Sequence, residues 1–168
     1  VIVASYGKSS VGAEILSAVD LTAIQSLSAA VDSFASAAIN GAEEWFIINT
    51  ARNNAVFFDN GENTDYRDLG GFIEFVETHT DDADLLQAAQ NVSQAYTDAV
   101  IDVYTVPSVP GTGISIYFTR HGGTVDKDYN AFYLSFASDT QWDEFLQTFV
   151  QSDAGPDTAD YKVLLSTG

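Results

Sequence analysis

Apolar side chains recur every three or four residues over most of 20–104, which is the spacing of one face of an α-helix. The longest such segment follows Asp20, a residue type that favours helix N-caps, and it ends at Asn40-Gly41. Its inward positions are predicted to be Ile24, Leu27, Val31, Phe34 and Ala38. A long first helix is therefore predicted, preceded by a short apolar run at 15–19 that fits a strand or the approach to a helix.

Three further helices are predicted from the same spacing. The second covers about 42–56 and carries Trp45, Ile48 and Arg52. The third is short and begins after Asp68, which is again a good N-cap. Its apolar face is formed by Leu69, Phe72, Ile73 and Val76. The fourth covers roughly Asp82–Tyr104, so most of the first part of the chain is predicted to be helical.

From Pro107 onward, apolar residues alternate with a spacing of two, which is typical of a strand. The segment Gly113–Thr119 is predicted to be that strand, and a glycine-containing, hairpin-like segment follows at 122–127. A helical turn or strand at 129–136, a helix at 138–151 and a last strand at 161–165 complete the pattern. The predicted fold class is α+β and helix-dominated, with a short sheet or hairpin. We expect one domain over 1–168, in which 1–106 is mainly helical and 107–168 forms the strand–hairpin and a helix.

The charge of the chain excludes several functions. There are 24 acidic and 6 basic residues, for a formal net charge of −18. Nucleic-acid binding requires a basic surface, and an anionic membrane repels this charge, so neither partner is expected. No apolar run reaches the roughly 18 residues of a membrane span. Basic peptides, calcium and a high-salt environment are compatible with the charge, as is an ordinary solvated surface.

The sequence contains no cysteine, which excludes a cysteine nucleophile and thiolate metal ligands within these residues. His79 and His121 are the two histidines, and no Gly-x-Ser-x-Gly motif accompanies them. Ser115 lies in the middle of the predicted strand rather than on an exposed turn. We therefore predict no catalytic residue in this chain.

One polar segment is a candidate calcium site. Asp59, Glu62 and Asp65 place carboxylate oxygens around Gly61, and calcium prefers six to eight oxygen ligands. The spacing differs from that of an EF-hand, and a polar loop leading to the Asp68 cap would use the same residues. No other cofactor is expected.

Five segments share one order with a known family. They read Leu-Ser-Ala-Val-Asp-Leu-Thr at 16–22, Ala-Arg at 51–52, Asp-Leu-Gly-Gly-Phe at 68–72, Gly-Ile-Ser-Ile-Tyr-Phe at 113–118 and Trp-Asp-Glu-Phe-Leu at 142–146. Together they resemble the C-terminal region of the clostripain family of cysteine peptidases. That family usually has proline after the Tyr-Phe of the strand, whereas this chain has Thr119, which affects the expected turn there.

The resemblance implies the C-terminal part of a caspase-like peptidase that cleaves after Arg or Lys. In that family an upstream domain carries the His and Cys, and an acidic residue near the Cys selects the basic residue of the substrate. An imidazole-activated thiolate attacks the carbonyl there, and backbone donors hold the oxyanion. This chain would then support the upstream caspase-like domain or chain and act on basic peptide substrates only through it. The first residue, Val1, fits a fragment or a processed product, and we expect a secreted or cell-envelope location.

A second interpretation belongs to another class of function. The chain could be a non-catalytic, acidic binding or structural module of the same fold. Under either interpretation, Arg52 is expected to form a structural ion pair or to hold a carbonyl inside the fold. The aromatic residues of the second half are expected to be core.

Overall fold

A computed structural model of the chain describes residues 15–41, 44–58, 65–107, 110–129 and 132–155. These residues form six helices and four short strands, and this confirms the predicted α+β, helix-dominated fold. In chain order they are β1 (Ile15–Val19), α1 (Ala23–Asn40), α2 (Trp45–Asn54), β2 (Tyr66–Asp68), α3 (Leu69–His79), α4 (Ala83–Ala99), β3 (Val100–Thr105), β4 (Ser115–Tyr117), α5 (Ser135–Asp139) and α6 (Trp142–Gln151). The predicted last strand at 161–165 lies outside the described residues.

Helix α1 ends where the sequence indicates, but it begins at Ala23, after two turn residues that follow Asp20. The Asp20 carboxylate accepts hydrogen bonds from the N–H groups of Thr22 and Ala23, at 2.7 and 3.3 Å. These bonds stabilise the ionised form and lower the pKa of Asp20. At the other end, the Gly41 N–H bonds to the carbonyl of Ala37 at 2.8 Å. The buried face of α1 packs most extensively on α4. Four of the five predicted inward residues are buried: Leu27, Val31, Phe34 and Ala38.

The predicted fourth helix is wrong at its C-terminal end. Helix α4 stops at Ala99, and the next six residues form β3, which pairs antiparallel with β1. The sequence Val-Ile-Asp-Val-Tyr-Thr is rich in residues that favour strands, and pairing with β1 satisfies its backbone. Because Tyr96, Ala99 and Val103 also have a helical spacing, the sequence pattern predicts a helix that is too long at this end. The register skips Ile101, so the strand carries a bulge near its start.

The second half of the chain differs from the prediction at three places. Strand β4 pairs with β2, which the sequence did not predict, and 122–127 contains turns but no strand. The predicted helix over 138–151 is two helices, because Thr140 is extended at φ −138° and ψ 161°. The Thr140 hydroxyl donates to the carbonyl of Phe136 at 2.7 Å, and the Gln141 N–H donates to the Asp32 carboxylate at 2.8 Å. These side-chain bonds replace helical ones and separate α5 from α6.

The second predicted helix is shorter at both ends, since α2 begins at Trp45 and ends at Asn54.

Phe118, directly after β4, occupies the centre of the core and is fully buried. Its ring centroid lies 5.0 to 5.5 Å from four aromatic rings in edge-to-face geometry, which is favourable for aromatic pairs. Those rings belong to Phe72, Trp142, Phe145 and Phe149. The aromatic residues of α6 are therefore core, as predicted. The same prediction is wrong for Phe132 and Tyr133, which are 86% and 64% exposed.

Candidate functional site around strand β4

Arg52 of α2 holds the end of β4. Its side chain is 2% exposed, and Nε donates to the carbonyl of Phe118 at 2.9 Å. Nη2 lies 3.5 Å from the Asp65 carboxylate, and Nη1 donates to Asn53 Oδ1 at 2.9 Å. Asp65 in turn accepts the Phe118 N–H with its own carbonyl, at 2.6 Å. The predicted structural ion pair and carbonyl contact of Arg52 are both confirmed.

Trp142 binds the same strand from the opposite side. Its indole Nε1 donates to the carbonyl of Tyr117 at 2.8 Å, and the side chain is fully buried. Two consecutive carbonyls, those of Tyr117 and Phe118, are thus satisfied by side chains from α6 and α2. Because unsatisfied buried carbonyls are costly, these two donors fix where β4 ends.

Asp68 joins β2, α3 and the segment before β4. One carboxylate oxygen accepts the Gly71 N–H at 2.8 Å and so caps α3. Thr112 donates its N–H at 2.7 Å and its hydroxyl at 2.9 Å to the same carboxylate. The Tyr96 hydroxyl continues the network, 2.7 Å from Thr112 Oγ1, and accepts the Ile114 N–H at 3.1 Å. Burial raises the pKa of Tyr96, which keeps this phenol neutral.

The first of the five segments also reaches this region. Ser17 Oγ donates to the carbonyl of Gly113 at 2.6 Å. Gly113 has φ +117°, a conformation that favours glycine, and an added Cβ would lie 3.0 Å from the Ser17 side chain. The segments at 16–22, 51–52, 68–72, 113–118 and 142–146 therefore all meet around β4.

A half-open apolar cavity of about 260 Å³ lies beside β4. One wall is α1, with Leu27, Ser28 and Val31, and the other is formed by residues 114–117. Tyr129 and Phe136 close one side. Apolar pockets with a few polar groups are the usual form of ligand sites, although this volume is slightly below their common range.

Three tyrosines that line this cavity contact one another, Tyr117 edge-to-face with Tyr66 and stacked on Tyr129. The Tyr117 ring lies 5.8 Å from that of Tyr66 and 4.6 Å from that of Tyr129, and the Asp126 N–H donates to the Tyr117 hydroxyl at 2.9 Å. Burial raises the pKa of Tyr129, and the nearby Asp143 carboxylate raises it further. Burial also raises the pKa of Tyr117, so the phenols of Tyr117 and Tyr129 are neutral at physiological pH.

Asp143 is a buried acidic residue that the sequence interpretation missed. It is 6% exposed, and in the described part of the chain no hydrogen-bond partner is found for its Oδ1. Burial, and then the neighbouring Glu144, raise its pKa. An acidic residue in a first helical turn is normally explained by the helix dipole, so nothing in the sequence distinguishes Asp143 from the exposed Glu144.

The two histidines do not assemble a catalytic pair in the described residues. His79 Nδ1 lies 2.8 Å from the carbonyl of Phe75, and its ring stacks on Phe75 at 3.9 Å. His121 Nε2 lies 2.7 Å from the carbonyl of Ser152 at the end of α6. Neither hydrogen bond involves Ser115, which lies on β4 as predicted.

Only one of the three residues of the candidate calcium site lies in the described part of the chain. Asp59 and Glu62 lie outside the described residues, and the Asp65 carboxylate lies beside the Arg52 guanidinium. Within the described ranges, no group of three His, Cys, Asp or Glu residues could hold a metal ion. Calcium binding at 59–65 stays a prediction.

In the parts of the chain that the structure describes, no helix has the length and apolarity needed to cross a bilayer. Comparisons with protein-family models, with curated proteins and with solved structures gave no significant match.

Proposed function

We propose that this chain is the C-terminal structural region of a clostripain-like cysteine endopeptidase that cleaves after basic residues. The observation that carries the proposal is the meeting of all five resembling segments around β4. Here Arg52, Asp68 and Trp142, each from a different segment, hold β4 and the residues on either side of it.

In this proposal the chemistry belongs to residues outside these 168. The chain has no cysteine, so the thiolate and its histidine would come from an upstream caspase-like domain or chain. The chain's own role is to support that domain and the substrate cleft. Its net charge of −18 would favour the approach of Arg- and Lys-containing peptides, an effect that salt weakens. A secreted or cell-envelope location is part of the same proposal.

The test is an assay of the complete gene product. Fluorogenic peptides with Arg or Lys before the scissile bond should be hydrolysed, and matched peptides with Gln at that position should not. Iodoacetamide should abolish the activity, and the present chain alone should show none. A complete gene product without an upstream His and Cys, or one that hydrolyses none of the basic peptides, would contradict the proposal.

A second candidate function is a non-catalytic binding module of the same fold. The apolar cavity beside β4 favours this alternative, because a purely supporting region needs no half-open pocket. The same assay separates the two functions. A binding module would bind its partner and would not hydrolyse the peptides. Iodoacetamide would leave that binding unchanged.

A further inference from the structure

Strand β4 has one paired and one open edge. Phe118 donates its N–H across to Asp65, and β4 follows the antiparallel register of β2. Hydrogen-bonded positions alternate along an antiparallel strand, so Ser115 and Tyr117 point their N–H and C=O groups away from β2. On this outer side, the Tyr117 carbonyl accepts the indole N–H of Trp142 at 2.8 Å. Strand β4 therefore presents backbone groups at an outer edge.

Most of this outer edge is unsatisfied within the described ranges. The Tyr117 carbonyl is bonded to Trp142, but the Ser115 N–H, the Ser115 carbonyl and the Tyr117 N–H have no hydrogen-bond partner there. Exposed strand edges of this kind are templates for another strand. Trp142 blocks the edge at one end, so an added strand would lie beside Ser115.

The apolar cavity lies against this edge. Four successive residues, 114–117, line it, although successive side chains of a strand point to opposite faces. Tyr66 and Leu69, on the β2 side, line the cavity as well, so it extends from one face of the sheet to the side of β4. Its far wall is α1, at Leu27, Ser28 and Val31, so the edge is recessed in a groove. An equally recessed edge on a second copy of the chain could not reach it, whereas a single extended segment could.

The mouth of the groove is acidic. The Asp126 N–H donates to the Tyr117 hydroxyl at 2.9 Å, and the Asp65 carbonyl accepts the N–H of Phe118, next to Tyr117. After burial, the carboxylates of Asp65 and Asp126 add to the raised pKa of Tyr117, and that of Asp143 adds to the raised pKa of Tyr129. Basic residues in this region are Lys127, next to Asp126, Arg52, 3.5 Å from Asp65, and Arg67, which pairs with Ile116 of β4. With a chain charge of −18, the surroundings attract a basic segment and repel an acidic one.

We propose that the groove between α1 and the outer edge of β4 binds an extended, basic polypeptide segment of a partner protein. The segment adds a strand beside Ser115, where main-chain hydrogen bonds supply affinity. One of its apolar side chains enters the cavity and supplies specificity. Lys or Arg on either side of that residue lies near the carboxylates at the mouth. The proposal does not depend on the peptidase assignment.

The test uses fluorescein-labelled peptides and the complete chain in fluorescence anisotropy titrations. The probe is Ac-Lys-Val-Phe-Val-Lys-amide, which is extended, basic and centred on an apolar side chain. Three matched peptides each change one property: Glu replaces Lys, Gly replaces Phe, or N-methyl groups replace the backbone N–H groups of Val. Each should bind at least about tenfold more weakly than the probe.

Two variants of the chain locate the binding site. Ser115→Pro removes the outward N–H without touching the ladder to β2 and should weaken binding at least about tenfold, whereas Ser115→Ala should not. Ser28→Phe fills the groove from α1 and should weaken binding equally. Its control is Ser26→Phe on the exposed surface of the same helix. If Ser115→Pro does not fold, Ser28→Phe and the N-methylated peptide still decide the question.

Three results would overturn the proposal. The first is equal binding of the N-methylated peptide, because strand addition would then contribute nothing. The second is unchanged binding by Ser28→Phe, because the peptide would then lie elsewhere. The third is no saturable binding of the probe, as expected if residues of the chain's own end fill the groove.

Discussion

The two sheets of this protein are stabilised in different ways. The β1–β3 pair has strands of five and six residues, yet every residue of β1 is only half-buried, and Ile101 and Val103 of β3 are exposed. The β2–β4 pair has only three residues in each strand. Its surroundings, however, include buried Arg52, Asp68 and Trp142, which bond to its ends. Strand length is therefore a poor guide to which sheet is held firmly.

The largest expected effect compares two aspartates that cap helices. Asp68→Ala leaves three donors without an acceptor in a buried site, and we expect it to lower the free energy of unfolding by about 4 kcal/mol. Asp20→Ala removes an exposed carboxylate after β1 that accepts the Thr22 and Ala23 N–H groups, and it should lower the free energy of unfolding far less. Urea unfolding of both variants measures the difference. Equal losses would contradict the contrast between the two sheets.

The next largest effect concerns the Phe118 carbonyl, which accepts a hydrogen bond from Arg52 of α2. Arg52→Met keeps a long apolar side chain but removes the donors to Phe118 and Asp65, and it should cost about 3 kcal/mol. Arg120→Met, at an exposed position just beyond, is the matched control and should change stability by less than about 0.5 kcal/mol. A loss below about 1 kcal/mol for Arg52→Met would mean that the guanidinium contributes little to the position of β4.

Replacing Asp143 should change the free energy of unfolding in the opposite direction. Its folded pKa is raised above the unfolded value, so ionisation opposes folding: stability falls as pH rises from the unfolded pKa through the folded one. Asp143→Asn should therefore stabilise the protein by about 1 kcal/mol near neutral pH. The gain should shrink below about pH 4, where the carboxyl is protonated in both states. Thermal unfolding across that range tests this, with Glu144→Gln as control, and a gain that persists unchanged at low pH would refute it.

The smallest effect belongs to the exposed face of β3. Ile101→Thr and Val103→Thr keep β-branched side chains that favour strands, and neither creates a buried cavity. Each should change the free energy of unfolding by less than about 0.5 kcal/mol in the same urea titrations. A loss above about 1.5 kcal/mol would show that this face is covered in solution.

The elements that follow a local rule could be predicted from the sequence. Asp20 and Asp68 mark helix starts through their own side chains, and the buried face of α1 follows from its spacing. The pairing of β2 with β4 could not be predicted, because it depends on residues far apart in the chain. The prediction of where α4 ends was wrong for the same reason. Its end depends on the pairing of the following residues with β1, which is far away in the chain. Arg52 was correctly given a structural role, while Asp143 carries no local signal that separates a buried carboxylate from an exposed one.

Native-state hydrogen exchange tests the contrast between the sheets most directly. The amides of Leu69 and Phe118 bond across β2–β4 to the carbonyls of Ile114 and Asp65. We predict that both exchange only through global unfolding, whereas amides within β1–β3 exchange at least about tenfold faster through local opening. Equal protection in the two sheets, or faster exchange at Phe118 than in β3, would contradict the account.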